Sequence, residues 1–191
     1  MVNPVSQLTY KSVPGVVTPV DNPLQHLVAC HERIEERLQT LERLTPQIRS
    51  DSEEKRLQAR EALDNALRFL KTMGQLHTED EEASLFPRLL AKGDENSALF
   101  TELTTLLDEQ HREKEGVLEK LMAHAKSLPP APELPSEEQA RRLESLAEHL
   151  ASLYRPHMMI ENQRLIPLSE ETLNATEMDE IRAEMRKRRG Q

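Results

Sequence analysis

Two short elements of the sequence place a histidine four residues before a glutamate: His77 with Glu81, and His157 with Glu161. On an α-helix, residues four apart project from one face, so each pair can reach into one cavity. Neutral imidazole and carboxylate are ligands that proteins offer to iron, manganese and zinc. Two further histidines fall on apolar helix stripes. The candidate metal ligands are His31, His77, Glu81, His111, His157 and Glu161.

These six residues repeat at a fixed offset. His111 follows His31 by 80 residues, and the histidine and glutamate of the first element recur in the second at the same offset. Each half of the chain thus contains a lone histidine and then a His-x-x-x-Glu-x-x-x-Leu-x-Pro element. Two helix pairs related in this way predict an approximate twofold axis. We expect two metal ions bridged by the two glutamates, one held by His31 and His77 and the other by His111 and His157.

The elements that must position these residues are long helices. Aromatic residues make up only 3% of the chain, glycine occurs five times, and leucines recur at helical spacing in four long segments. The alternating Val, Ile and Thr runs and Asn-Gly turns that are typical of strands and hairpins are missing from the sequence. The sequence therefore predicts an all-α protein, an up-down-up-down antiparallel four-helix bundle.

The bundle is predicted over residues 21–170. Residues 1–20 are expected to form an irregular N-terminal arm, because prolines and a glycine interrupt them. Residues 171–191 are expected to form a short C-terminal helix with a basic tail, whose charges either counter the helix dipole or fray in solvent. Capping residues mark the predicted helix starts: Asp21 or Asn22, Ser50 with Glu53, Ser136 with Gln139, and Thr176 with Asp179.

Composition excludes several classes of protein. The net charge of −9 argues against nucleic acid as a partner. No apolar run approaches the ~20 residues that a membrane-crossing helix needs. The single cysteine, Cys30, allows no internal disulfide, and the N-terminus lacks the compact apolar stretch of a signal peptide. These features predict a cytoplasmic location and no membrane partner.

Four stretches of the chain resemble the four helices of hemerythrin-like HHE proteins. They are CHERIEERLQTLERL (30–44), HTEDEEASLFPRL (77–89), EQHREKEGVLEKL (109–121) and YRPHMMIENQRLIPL (154–168). The order His, HisxxxGlu, His, HisxxxGlu is the ligand signature of that family. The resemblance covers roughly residues 21–170. It implies that the six candidate residues hold a non-haem di-iron site, with two iron ions joined by an oxo bridge.

Two positions differ from the oxygen-carrying hemerythrins. Glu115 stands where those proteins have a further histidine, and the last carboxylate, Glu161, follows its histidine by four residues rather than being an Asp five residues later. The ligand pattern is more similar to that of bacterial hemerythrin-like proteins and of di-iron proteins that repair iron centres. The cysteine-bearing N-terminal domain usual in the repair proteins is missing from this sequence.

Two functions are compatible with this ligand set. The first is a di-iron protein that senses or detoxifies a small oxidant, namely dioxygen, peroxide or nitric oxide. The second is a non-catalytic iron-binding module for storage, delivery or sensing; it is suggested by the lack of any phosphate loop or nucleophile elbow. Zinc and manganese use the same ligand types and remain alternatives to iron.

Several polar residues near the candidates are predicted to lie outside the site. His26 is expected on the surface. It and His124 are left out of the ligand set because of helical phase, and His149 is left out because of a nearby proline. In the acidic run, Glu79, Asp80 and Glu82 are expected to be exposed, with Glu82 kept as an alternative extra ligand. Glu115 is expected on the exposed surface, with a ligand or a hydrogen-bonding role as alternatives. Tyr154 is expected in the core or as a hydrogen-bond partner of a bound oxygen species.

Overall fold

A computed structural model describes residues 20–93 and 96–191; most of these residues are helical and none forms a β-strand. The prediction of an all-α bundle with a short C-terminal helix is confirmed, whereas residues 1–19 of the predicted arm lie outside the described residues. The helices are α1 (Pro23–Leu44), α2 (Glu53–Asp80, Glu81–Leu85 and Phe86–Leu90), α3 (Ser97–Ser127), α4 (Glu137–Ile160, Glu161–Leu165 and Ile166–Thr172) and α5 (Ala175–Arg188). Within the described residues, no helix is both long and apolar enough to span a membrane.

Capping side chains fix the starts of four helices, α1, α2, α4 and α5. Asn22 Oδ1 accepts a hydrogen bond from the Gln25 amide at the start of α1, and α4 starts with the predicted capping box of Ser136 and Gln139. Two predicted caps are wrong by two residues. Ser52 rather than Ser50 caps α2, and α5 begins two residues early because Asn174 and Glu177 form its capping box. In both cases a second good capping residue lies close to the predicted one.

Two apolar clusters show that neighbouring helices run antiparallel. One cluster contains Leu41 near the end of α1 together with Leu63 in the first half of α2. The other contains Leu24 at the start of α1 together with Leu85 near the end of α2. Helices α3 and α4 are related in the same way. Along each helix the candidate ligands fall between members of the two clusters, so a buried polar layer separates two apolar ends of the bundle.

Each glutamate of the two repeated elements begins a widened turn. Glu81–Leu85 and Glu161–Leu165 are single π-helical turns, in which the backbone N–H of the residue after the turn bonds to the carbonyl of the glutamate. Pro87 and Pro167 follow each turn by two residues. A proline has no N–H and crowds the carbonyl four residues before it, which favours a wider turn at that place. The helix nevertheless continues, so the glutamate stays in line with its histidine.

Helix α5 packs against the first of these turns. The carboxylate of Asp80 is fully buried and pairs with the guanidinium groups of Arg188 and Arg189. Arg188 also donates to the Ser84 hydroxyl. The expectation that Asp80 is exposed is wrong. Of the two alternatives for the basic tail, fraying in solvent does not hold for Arg188 and Arg189. The docked C-terminal helix supplies both the cover and the countercharge.

Candidate metal centre

The structure brings all six candidate residues together in the polar layer. Each has at most 5% of its surface exposed. They form two overlapping groups, and within each group the possible ligand atoms all lie within 4.8 Å of one another. Both glutamates belong to both groups; His31 and His77 complete one, and His111 and His157 complete the other. This grouping matches the two-half arrangement expected from the 80-residue repeat, while ligation itself stays a prediction.

The Glu161 carboxylate lies between the two histidine pairs. Its Oε2 atom is 2.8 Å from Nε2 of His31, and its Oε1 atom is 2.6 Å from Nε2 of His157. Burial alone would raise the pKa of this carboxyl, but the surrounding imidazoles, that of His157 foremost, hold the pKa well below its usual value. Glu161 is therefore a carboxylate that offers one oxygen to each side.

Glu81 is placed in the same manner from the opposite helix pair. Its Oε1 atom is 3.6 Å from Nε2 of His77, and its Oε2 atom is 3.2 Å from Nε2 of His111. Burial lowers the basicity of the His77 ring, but Glu81 and Glu161 more than compensate and raise its pKa well above the usual value. Both glutamates thus have the geometry of bridging ligands.

Six of the eight candidate ligand atoms at the centre lack hydrogen bonds, whereas the Nε2 atoms of His31 and His77 lie 3.1 Å apart and bond to each other. All four carboxylate oxygens of Glu81 and Glu161, and the Nε2 atoms of His111 and His157, are buried with no hydrogen-bond partner. Each such atom costs about 1–3 kcal/mol when left unpaired. These oxygen and nitrogen atoms lie close together but are not aligned for hydrogen bonds. Such an arrangement is typical of side chains that converge on a metal ion. Two cations would satisfy these atoms, so the residues fit a two-metal centre.

The outer ring nitrogens of three histidines are held by oxygen atoms. The Nδ1 atoms of His31, His111 and His157 lie 2.8, 2.8 and 2.9 Å from side-chain oxygens. The three oxygen partners are, in that order, Asn162, Glu82 and Gln110. An amide or carboxylate oxygen only accepts, so each Nδ1 carries the proton and each Nε2 offers its lone pair to the centre.

The fourth histidine has a sulfur neighbour instead. His77 Nδ1 is buried without a hydrogen-bond partner, and the Cys30 thiol lies close enough to raise the pKa of this ring. Burial raises the pKa of Cys30, but the imidazoles of His26 and His77 outweigh burial and lower it to about 5. His26 is buried, so its predicted surface position is wrong, and it provides an activating neighbour for Cys30 that helical phase did not reveal.

The sequence contains a signal for the outer partners, because they follow the same 80-residue repeat as the candidate ligands. Glu82 and Asn162 are separated by the same 80 residues as the ligands, and so are Cys30 and Gln110. Each therefore occupies an equivalent place beside an equivalent histidine. Glu82, kept as an alternative ligand, is 40% exposed as a side chain and contacts the outer nitrogen of His111, so it lies outside the two ligand groups.

A pocket of about 360 Å³ opens beside His111, with Lys114 and Tyr154 in its wall. Lys114 is only 3% exposed, and its ammonium lies 4.7 Å from the centre of the Tyr154 ring. Burial lowers the pKa of Lys114 to about 8 and raises that of Tyr154. Glu115, also in the pocket wall, is exposed and pairs with Lys71, as expected for a surface residue.

The fold and this cluster define a helical-bundle protein equipped to hold metal cations in a buried layer between four helices. Residues 22–169 match the family model of the hemerythrin HHE cation binding domain, and the chain belongs to this family. The match begins at the cap of α1 and ends near the end of α4, so it includes all six candidate ligands. No curated protein matches the chain.

Proposed function

We propose that this protein is a non-haem di-iron protein that binds or reacts with a small oxidant, namely dioxygen, peroxide or nitric oxide, in sensing or detoxification. One observation carries the proposal: Glu81 and Glu161 each direct one oxygen toward each histidine pair. Paired carboxylates of this kind suit two cations held side by side.

The residues of the chain have distinct tasks in this proposal. The four Nε2 atoms and two carboxylates hold the metals, and the oxygen partners of Nδ1 keep three imidazole rings in the binding tautomer. The apolar clusters cover the two ends of the layer, and the pocket beside His111 opens at its flank. Bound iron supplies one-electron redox chemistry and open coordination positions. The depth of the site restricts it to small ligands.

Metal content is the first experiment. Protein expressed with iron available is expected to contain about two irons per chain, because two groups of ligands share two bridging carboxylates. Its absorption spectrum is expected to show a ferric pair and to change when peroxide is added. Elemental analysis separates iron from zinc and manganese. Absence of stoichiometric metal would mean that the histidines and glutamates form a metal-free polar core.

The bridging role has a matched test. Glu81→Ala is expected to lose both metals, because its carboxylate faces both histidine pairs. Glu115→Ala is the control: it removes an exposed carboxylate one turn from His111 and is expected to keep both. Loss of a single metal in Glu81→Ala would instead assign Glu81 to one metal only.

A non-catalytic iron-binding module is the second candidate. It is favoured by the lack of any phosphate loop or nucleophile elbow in the sequence. Peroxide consumption per iron separates the two candidates. Turnover well above that of free iron supports the reacting protein, whereas slow stoichiometric oxidation supports storage, delivery or sensing of iron. A cytoplasmic location belongs to either proposal and is supported by the single cysteine.

A further inference from the structure

Lys114 is a buried cation without an anionic contact. Within residues 20–93 and 96–191, its ammonium makes no hydrogen bond and no salt bridge, and its close partner is the face of Tyr154. A cation–π contact offsets only part of the cost of burying a charge. A buried lysine in this condition, in the wall of a pocket that also includes His111, is suited to receive an anion.

The charge balance of the centre also favours binding of an anion. Glu81 and Glu161 provide the negative field that favours the charged form of Lys114 in the metal-free protein. Two cations with at least two charges each would more than neutralise these two carboxylates. Lys114 would then lie beside an excess of positive charge, and an anion entering the pocket would be attracted by the metals and by the ammonium together.

The buried lysine and its tyrosine partner occur in only one of the two repeated halves. The residues that precede Lys114 and Tyr154 by 80 positions are Ile34 and Gly74. Ile34 is a buried apolar residue. A Cβ atom on Gly74 would lie 3.3 Å from the Tyr154 hydroxyl oxygen, so the glycine makes room for the tyrosine. The lysine and tyrosine thus lie beside His111 and His157 only. At the matching positions of the other half stand an apolar side chain, Ile34, and a glycine, Gly74.

We propose that Lys114 and Tyr154 form a binding site for a small anion, such as azide or hydroperoxide, on the His111 and His157 side of the centre. This inference rests on the proposed di-iron function. The Lys114 ammonium binds the anion, and the Tyr154 ring holds the ammonium in place. The His31 and His77 side takes no anion.

Azide and nitric oxide are the two probes, because one is charged and the other is neutral. The iron-loaded ferric protein is titrated with azide, and the ferrous protein with nitric oxide, each followed by absorption. Lys114→Met removes the charge at similar length and is expected to weaken azide binding by about tenfold or more, and nitric oxide binding by less than about threefold. Iron content is measured for every variant.

Two further variants act as controls. Lys114→Arg keeps the charge and is expected to bind azide within about threefold of the wild type. Lys120→Met removes an exposed lysine from the same helix, makes the same change in net charge, and is expected to leave azide binding unchanged. Equal weakening of both probes in Lys114→Met, or no weakening of azide, overturns the inference.

A structure of the iron-loaded wild type with azide tests the same inference without relying on a variant. Azide within hydrogen-bond distance of the Lys114 Nζ atom supports it, and azide on the His31 and His77 side overturns it. The two proposals fail differently. A wild type that binds no iron refutes both, whereas an iron-loaded wild type whose azide binding ignores residue 114 refutes only the anion site.

Discussion

The two halves of the bundle have the same candidate ligands but different surroundings. His31, His77 and Glu81 correspond to His111, His157 and Glu161, and each glutamate begins a π turn in the same place. The neighbours of these residues differ at nearly every matched position. Metal geometry demands the same ligand types on both sides, whereas the residues around the ligands are free to diverge.

In the proposed centre, this divergence would make the two metal positions chemically unequal. The outer nitrogen of His111 faces the carboxylate of Glu82, but that of His31 faces the amide of Asn162. A carboxylate makes the imidazole a stronger donor than an amide does. The first half is in turn covered by α5 through Asp80, whose counterpart Ile160 is half-buried and has no charge. Three sets of variants test how strongly the two halves differ in stability, metal affinity and pH dependence.

The largest expected effect concerns the cover of the first half. Asp80→Ala leaves Arg189, whose side chain is 1% exposed, without its carboxylate. Breaking one partner of a buried ion pair costs about 3–5 kcal/mol. We therefore expect a loss of that size in the free energy of unfolding, measured with urea on metal-free protein. The matched change Ile160→Ala in the second half is expected to cost about 1–2 kcal/mol. Equal losses would remove this difference between the halves.

An intermediate effect is expected when the outer partners are exchanged. Glu82→Gln replaces the carboxylate that holds His111 and is expected to weaken binding of one of the two metals by about tenfold. Asn162→Asp gives His31 a carboxylate and is expected to strengthen the other. Competition with a chelator measures both affinities. If neither change moves either affinity, the outer partners fix ring orientation without affecting the donor strength of the imidazoles.

The smallest effect is a pH dependence confined to the contacts of α5. Arg88 holds the pKa of Glu184 below its ordinary value of 4.5, and Lys92 does the same for Glu177. A lowered pKa in the folded state means that these contacts stabilise above pH 4.5 and weaken as the pH falls through the folded-state pKa. Both pairs are partly exposed, so each contributes less than about 1 kcal/mol.

Hydrogen exchange in residues 175–188 measures that dependence. Opening of α5 is expected to become easier as the pH falls from 6 to 3.5, after correction for the intrinsic exchange rate. Glu184→Gln and Glu177→Gln together are expected to flatten the dependence. An unchanged slope in the double variant would assign the pH effect to buried groups instead of these surface pairs.

Most of the fold follows from local sequence rules. The leucine stripes, the cap at Asn22 and the capping box at Ser136 each act within a few residues, so they are visible in the sequence. The predicted caps at Ser50 and Thr176 were wrong because other residues two positions away, Ser52 and Asn174, cap equally well. The burial of Asp80 depends on α5 from the far end of the chain, and a charge run alone gives no sign of that contact.

In the candidate site, too, the features that depend on sequence spacing could be predicted and those that depend on tertiary contacts could not. The six proposed ligands were found because helical phase and the 80-residue repeat involve only sequence distance. The surface position expected for His26 was wrong because helical phase within α1 does not show which residues pack against the side of that helix. Lys114 was missed because a lysine is ordinarily a solvent-facing residue, and only the tertiary structure shows its contact with Tyr154.

The contact of Arg189 with Asp80 joins residues 109 positions apart. The ribosome makes the chain from its N-terminus, so Asp80 and the turn at Glu81 exist long before Arg189 is synthesised. We expect the four bundle helices to associate first and α5 to close over the Glu81 turn last. A product cut short before α5 would keep every histidine, and we expect it to retain metal poorly because the Glu81 turn would lack its cover.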